Sequence, residues 1–206
     1  MSTRAGHAAG VHRVIIEASP IWLEHHRLKR LFDVAVSSVL LIGLGPVIAV
    51  LLLAVRATSS GPALFRQERV GRSGSSFICY KIRTMQMDAP AGPTHLVSTQ
   101  HVTPLGAYLR KYKLDELPQL YNVLVGEMSL VGPRPCLTTQ AELIEERRKR
   151  GVLDLRPGIT GVSQVANVDM RDPRFLAEMD ATYIGKSSLL NDLRILVATI
   201  LPRPVP

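Results

Sequence analysis

The stretch VAVSSVLLIGLGPVIAVLLLAV, Val34 to Val55, decides how the rest of the chain is read. Its 22 residues carry no charge, and a helix needs roughly 20 apolar residues to cross the hydrocarbon of a bilayer. Three features argue against a simple crossing. Gly45-Pro46 stands near the middle, and proline removes a helical hydrogen bond and bends the axis. Ser37 and Ser38 can bond back to the helix ladder. Both flanks are basic, with Arg27, Lys29 and Arg30 before and Arg56, Arg66 and Arg69 after, so the positive-inside rule gives no direction. A helix that enters, bends at Pro46 and leaves by the same face meets all three conditions. Each arm of about 11 residues would reach roughly 16 Å, half the hydrocarbon depth. A plain kinked transmembrane helix and a buried soluble core helix remain open on this physics.

Working outward, the segment Arg27-Leu28-Lys29-Arg30-Leu31-Phe32-Asp33 reads as a basic amphipathic lead-in at headgroup level, with Lys29 and Arg30 meeting lipid phosphates. Residues 1–26 read as an N-terminal arm. They contain no apolar run followed by a small-residue cleavage site, so the arm does not read as a signal peptide. The chain of 206 residues fits one domain with an appendage. Mean hydropathy is +0.14, which agrees with a membrane element. A net charge of +8 favours anionic partners. Only 5% of the residues are aromatic, too few for base-stacking surfaces, so nucleic acid is not expected. Cys79 and Cys136 lie far apart and read as small core residues.

Downstream, Ala63–Gly71 and Phe77–Met85 are two β-like runs joined by a turn-rich link, a hairpin pattern. Lys81 and Arg83 share one strand face and would suit a phosphate, although on strand evidence alone a solvated edge-strand face is the better reading. Residues 88–101 read as a polar loop, and Thr103-Pro104 as a helix start. Thr139 with Glu142 predicts a capping box for a helix ending in Arg147-Arg148-Lys149-Arg150. Asp172-Pro173 starts another helix, and Asn191 to Leu201 is a final amphipathic one.

Between these lies Lys113-Leu114-Asp115-Glu116-Leu117-Pro118-Gln119-Leu120, two adjacent carboxylates in a basic neighbourhood. The pattern predicts one helix from Asp115 to Glu127. On local physics Asp115 is a cap and Glu116 a favourable first-turn charge. The functional reading is that one carboxylate attacks while the other holds a metal. Arg134 follows, pinned between Pro133 and Pro135, which lowers the backbone entropy it has to lose.

Lys29-Arg30 with Asp33, Gly45-Pro46, the RQERVG and YKIRTM blocks, LDELPQLYNVLVGEMSLVGPRP and LRPGITGVSQV together resemble the bacterial sugar transferases. The likeness is to the small monotopic phosphoglycosyl transferases, over about residues 27 to 200. The resemblance implies transfer of a sugar-1-phosphate from a UDP-sugar to polyprenol (undecaprenyl) phosphate with release of UMP. This would be the first step of bacterial surface glycan assembly, at the cytoplasmic face of the inner membrane. It implies a ping-pong course through a covalent phospho-sugar aspartyl intermediate. Asp115 matches the family nucleophile and Glu116 the Mg2+ ligand, so Asp115 and Glu116 are the catalytic pair. Lys81, Arg110 and Arg134 match phosphate-binding positions, and Arg83 joins them as a substrate-binding candidate. Lys29 and Arg30 match the membrane-interface pair, and Pro46 the break of a re-entrant helix.

The expected fold is α/β in the α+β sense, mostly helical with a short β-hairpin or small sheet, a re-entrant membrane helix-break-helix and interfacial amphipathic helices. The expected segments are an arm over 1–26, a re-entrant helix over 27–58, a catalytic domain over 59–201 and a tail over 202–206. Anionic phospholipid is a further expected partner, and a homodimer is left open. One departure stands out. Many members continue Asn-Gly-Arg after Gln164-Val165, whereas this chain reads Ala166-Asn167-Val168-Asp169-Met170-Arg171. The sugar is not readable; family analogy ranks a UDP-N-acetylamino sugar first and a UDP-hexose second. The competing reading is a non-catalytic, membrane-anchored basic module for anionic lipid or nucleic acid.

Overall fold

The computed structural model describes residues 20–89, 99–168 and 171–201, with side chains from residue 27 onward. The expected arm lies mostly outside the described residues, as do the centre of the polar loop (90–98) and the tail (202–206). The protein is mixed: mostly helical, with two small two-stranded sheets and one long apolar helix.

Helix α1 spans Pro20–Thr58 and runs unbroken through Pro46. The expected division into two helices is therefore absent. Proline removes one N–H donor and crowds the carbonyl four residues earlier, which bends a helix without having to end it. The segment Arg27–Thr58 is long and apolar enough to cross a membrane by length and composition.

Both ends of α1 dock on the folded body that follows. Near the N-terminal end, the Lys29 ammonium donates to Asp192 at 2.6 Å, and Asp33 accepts from the Leu130 amide at 3.2 Å. Phe32, Val36 and Leu41 pack on the central core. Near the C-terminal end, Val55 is buried in a cluster with Ile82 and Leu109. Arg83 donates there to the Ser59 carbonyl and hydroxyl at 3.1 and 2.7 Å. Between these attachments Val39, Ile42, Val50 and Leu53 are each at least 63% exposed.

Strands β1 (Leu64–Val70) and β2 (Ser76–Ile82) form the expected antiparallel hairpin, with Phe65 opposite Lys81. Helix α2 (Pro104–Lys111) begins as expected, Thr103 accepting from the Gly106 amide at 2.9 Å with Pro104 in the first turn. The helix expected over Asp115–Glu127 is split. A 3-10 turn covers Leu114–Glu116, and α3 begins only at Gln119 and ends at Val125. Pro118 needs no amide partner and so starts α3 after the carboxylates rather than with them. Gly126 stops α3 in a left-handed conformation, φ 93°.

Strand β3 (Ser129–Val131) pairs in parallel with β4 (Gly158–Thr160), and α4 (Ala141–Lys149) forms the crossover. The two strands approach so closely that a Cβ on Gly158 would overlap the Gly132 backbone. The capping box expected for α4 does not form. Its cap is Gln140, whose side-chain oxygen accepts from the Leu137 amide at 2.8 Å instead. After α5 (Val162–Val165), α6 (Pro173–Ala181) starts at Asp172, which accepts from the Phe175 amide at 2.9 Å. Helix α7 (Leu189–Ile200) closes the described fold.

The central core joins Leu120 and Val123 of α3, Met128, Leu130 and Val131 of β3 and its approach, Tyr183, and Ile195 of α7. Each such side chain contributes roughly 1.5–3 kcal/mol of transfer free energy on burial. Cys79 and Cys136 are buried and unpaired, as expected. Asp192, which interrupts the α7 sequence pattern, is fully buried and accepts from Lys29 and from the Tyr183 hydroxyl. Breaking a buried pair strands a charge and costs about 3–5 kcal/mol, whereas replacing both partners by apolar groups is far milder. Lys29→Met and Asp192→Asn should each lower the unfolding free energy by about 3 kcal/mol in urea titrations of the purified protein. Lys29→Met/Asp192→Leu should lose less than either single change; a larger loss would remove this pair as the anchor of α1.

Candidate active site

Three segments converge on one carboxylate. Lys81 of β2 donates to Glu116 Oε1 at 2.8 Å, and Arg134 donates to the same oxygen at 3.2 Å. Neither bond uses Oε2. Glu116 stands in the 3-10 turn, which Lys113 enters in the left-handed conformation, φ 56°. The Lys81 side chain is 19% exposed and that of Glu116 15%. Lys81 thus lies at the site and not on a solvated edge strand. Its strand is fixed by Asn122 of α3, whose carboxamide accepts from the Tyr80 amide at 3.2 Å and donates to the Ile78 carbonyl at 2.7 Å. A single side chain therefore brackets β2 just before Lys81, as a neighbouring strand's peptide would.

Asp115 lies beside this cluster without capping a helix, since the 3-10 turn has no side-chain cap and α3 starts after Pro118. Burial raises its carboxyl above the usual range and the neighbouring Glu116 charge adds to this, while Lys81 and Arg110 oppose it. Glu116 moves the other way. Burial alone would raise it, but the Lys81 and Arg134 charges and the Lys81 hydrogen bond hold it at about 2. Two adjacent carboxyls with opposite shifts are suited to different roles. Arg110 is held by its Nε bond to the Thr84 hydroxyl at 2.9 Å, with Asp115 the nearby charge.

The cleft at the site is lined by Arg69, Cys79, Lys81, Glu116, Gln119 and Arg134 among others. Of the residues singled out in the sequence, Lys81, Arg110, Asp115, Glu116 and Arg134 come together. Arg83 does not join them, since it turns to Ser59 at the end of α1. Lys29 and Arg30 lie elsewhere. Lys29 points inward to Asp192 rather than outward to lipid. Arg30 donates to the Val123 and Leu124 carbonyls at 2.6 and 2.8 Å, at the C-terminal end of α3.

Three contributors escape the sequence reading: Arg69, Asn122 and the buried pair of Arg147 and Asp180. For Arg147 a signal existed. It stands four residues after Leu143, on the buried face of α4. Among the described residues no three His, Cys, Asp or Glu side chains cluster as a metal cage. Glu116, held ionised with Oε2 outside both ion pairs, could offer one oxygen to a hard cation.

The sequence model for the bacterial sugar transferases matches residues 24–203. An uncharacterised sugar transferase of Haemophilus influenzae is 37% identical over 190 residues, covering 84% of this chain and 40% of that protein. The UDP-glucose:undecaprenyl-phosphate glucose-1-phosphate transferase of Caulobacter vibrioides is 38% identical over 183 residues, 84% of this chain and 68% of that one. The undecaprenyl-phosphate galactose phosphotransferase of Salmonella typhimurium is 35% identical over 189 residues, 84% of this chain and 39% of that one. The chain thus spans about two fifths of two of these relatives and about two thirds of the third.

The depressed Glu116 carboxyl links stability to pH. Its folded value of about 2 lies below its ordinary 4.5, so the stabilisation is complete above pH 4.5 and is lost as pH falls toward 2. The loss is on the order of 2–3 kcal/mol. Urea unfolding between pH 6 and pH 2 should show this slope in the wild type and a flatter one in Glu116→Gln; identical slopes would discard the assignment.

Proposed function

The chain belongs to the bacterial sugar transferase family, and from that membership we propose that it moves a sugar-1-phosphate from a UDP-sugar to polyprenol phosphate, releasing UMP. The observation that carries the reading is the Asp115–Glu116 pair: one carboxyl raised, one held ionised, within a ring formed by Lys81, Arg110 and Arg134. The names of the Caulobacter and Salmonella relatives, which specify undecaprenyl phosphate as acceptor, agree with it.

In this mechanism Asp115 is the nucleophile. Its carboxylate oxygen forms a bond to the β-phosphorus, and the bond from that phosphorus to the bridging oxygen breaks. UMP leaves with the electron pair, and the phospho-sugar stays on Asp115. An oxygen of polyprenol phosphate then attacks the same phosphorus and frees the aspartate, a ping-pong course. A carboxylate with a raised pKa is the stronger nucleophile once ionised. Lys81 and Arg134 neutralise the diphosphate, and Arg110 sits beside Asp115 for the phosphoryl group in flight. Glu116 would hold Mg2+, which when bound adds charge neutralisation on the diphosphate and the departing UMP.

The membrane part of the proposal is that α1, continuous through Pro46, bends there enough for both its ends to lie at one face, the cytoplasmic one. Its support is that Lys29 and Asp33 near one end and Val55 and Ser59 near the other bind the same folded body, while the residues between are exposed and apolar. A body of this charge cannot hold both ends of a helix that crosses the bilayer between them. The exposed Leu190, Leu193, Val197 and Ile200 of α7 suit the same interface.

UMP release should appear with a UDP-sugar, polyprenol phosphate and Mg2+, UDP-glucose and UDP-galactose being the first donors to try. Asp115→Asn should abolish both turnover and the trapped phospho-sugar adduct; wild-type turnover in that variant would end the covalent mechanism. Loss of kcat/KM toward acid should set in above the ordinary aspartate value of 3.8, because Asp115 must be ionised to attack and its pKa is raised. Cysteines placed at Ser2 and Ser60 should be labelled from the same side of the membrane, and labelling from opposite sides would replace the re-entrant arrangement by a crossing one.

A further inference from the structure

Four consecutive carbonyls run along the wall of the site, and each has its own donor. Pro133 accepts from the Gly158 amide at 2.9 Å and Cys136 from the Val70 amide at 2.9 Å. Between them, Arg134 accepts from Arg147 Nη1 at 2.8 Å and Pro135 from Arg69 Nη1 at 3.0 Å. These donors belong to β4, β1 and α4. Proline rings also fix φ on both sides of Arg134. What stays adjustable is the Arg134 side chain, 38% exposed, which reaches Glu116.

We propose that Arg147 and Asp180 are positioning residues, a buried pair that fixes the Arg134 backbone so that its guanidinium meets the donor's diphosphate. This rests on the transferase reading above.

Each residue of the pair is only 2% exposed. A buried ion pair is a weak source of stability, and an apolar pair of similar volume usually serves as well. An apolar pair would lack one thing, the third bond. Arg147 places Nε and Nη2 on Asp180 Oδ2 at 3.0 and 2.7 Å, and Nη1 on the Arg134 carbonyl. The guanidinium is planar, so two nitrogens fixed on one oxygen set the direction of the third. Asp180 is held in turn, its other oxygen accepting from the Ser163 hydroxyl at 2.8 Å. It also balances the Arg147 charge, so this guanidinium adds little to the field of the cations that line the site. Ser163 and Asp180 stand on α5 and α6, the two flanks of residues 166–171, where the sequence departs from its family's pattern. The two helices that flank that loop and the backbone of Arg134 therefore share one network.

The test is a double-mutant cycle with Arg134. Arg147→Lys keeps the charge but offers one nitrogen, which can reach Asp180 or the Arg134 carbonyl but not both. Arg147→Met/Asp180→Leu removes the clamp and both charges together; it also unpairs the Ser163 hydroxyl and the Arg134 carbonyl, so its readouts are taken where urea titration shows it folded, with Arg147→Lys deciding otherwise. Two readouts are taken: kcat/KM for UMP release, and the Kd for UDP by calorimetry. With Arg134 present, both variants should lose about tenfold in each. With Arg134→Ala, the further loss should be under about twofold, since no guanidinium remains to misplace. Equal losses in both backgrounds, or none with Arg134 present, overturn the proposal. UDP binding decides it independently of turnover. A wild type that binds UDP but releases no UMP sinks the proposed reaction and leaves the binding cycle to judge the clamp; a wild type that does not bind UDP overturns both.

Discussion

A single oxygen, Glu116 Oε1, collects an ammonium from the hairpin and a guanidinium from the proline-flanked turn. Buried at this level, the carboxylate would be costly alone, and so would either cation. Together they compensate one another, and that requirement sets the relative position of three segments far apart in the chain. The hairpin must present Lys81 inward, the 3-10 turn must end before α3, and the Pro133–Cys136 segment must lie along the cleft. The carbonyl bonds along that segment and the Asn122 bracket on β2 are the means by which backbone geometry meets the demand.

The same compensation shapes the chemistry. Lys81, which helps to hold Glu116 ionised, also opposes the rise at Asp115 without cancelling it, since burial and the Glu116 charge dominate there. One pair of neighbours is thereby divided into a permanent anion and a more basic carboxylate.

Helix α1 is tied to the same folded body as this site. Its attachments run through Lys29 and Asp33 and through Val55 and Ser59, with Val39, Ile42, Val50 and Leu53 exposed between them, while Asp192, an apparent flaw in the amphipathic pattern of α7, serves as the buried partner of Lys29. A charge inside an apolar stripe reads as an interruption when a helix is considered alone. It becomes an anchor when the opposite charge arrives from a segment 163 residues away.

Local order was legible. The apolar run, the hairpin, the Thr103-Pro104 and Asp172-Pro173 starts and the buried cysteines all follow from spacing and from backbone chemistry within a few residues. The ordered blocks also identified the family and drew attention to Asp115, Glu116, Lys81, Arg110 and Arg134. Three local expectations failed, two to a residue inside the expected segment and one to a group elsewhere in the chain. Pro118 delayed α3, Gln140 displaced Thr139 as a cap, and Arg83 was taken by Ser59. The roles of Arg69, Asn122, Arg147 and Asp180 were decided only in three dimensions. In sequence a buried arginine looks the same as a solvated one, and what separates them is a partner whose distance along the chain carries no periodic signal. The sequence by itself determined which groups are present and which stretches are helix, strand or apolar. The tertiary structure alone decided which charges are paired in the interior, because the cost of burying a charge depends on the groups that surround it.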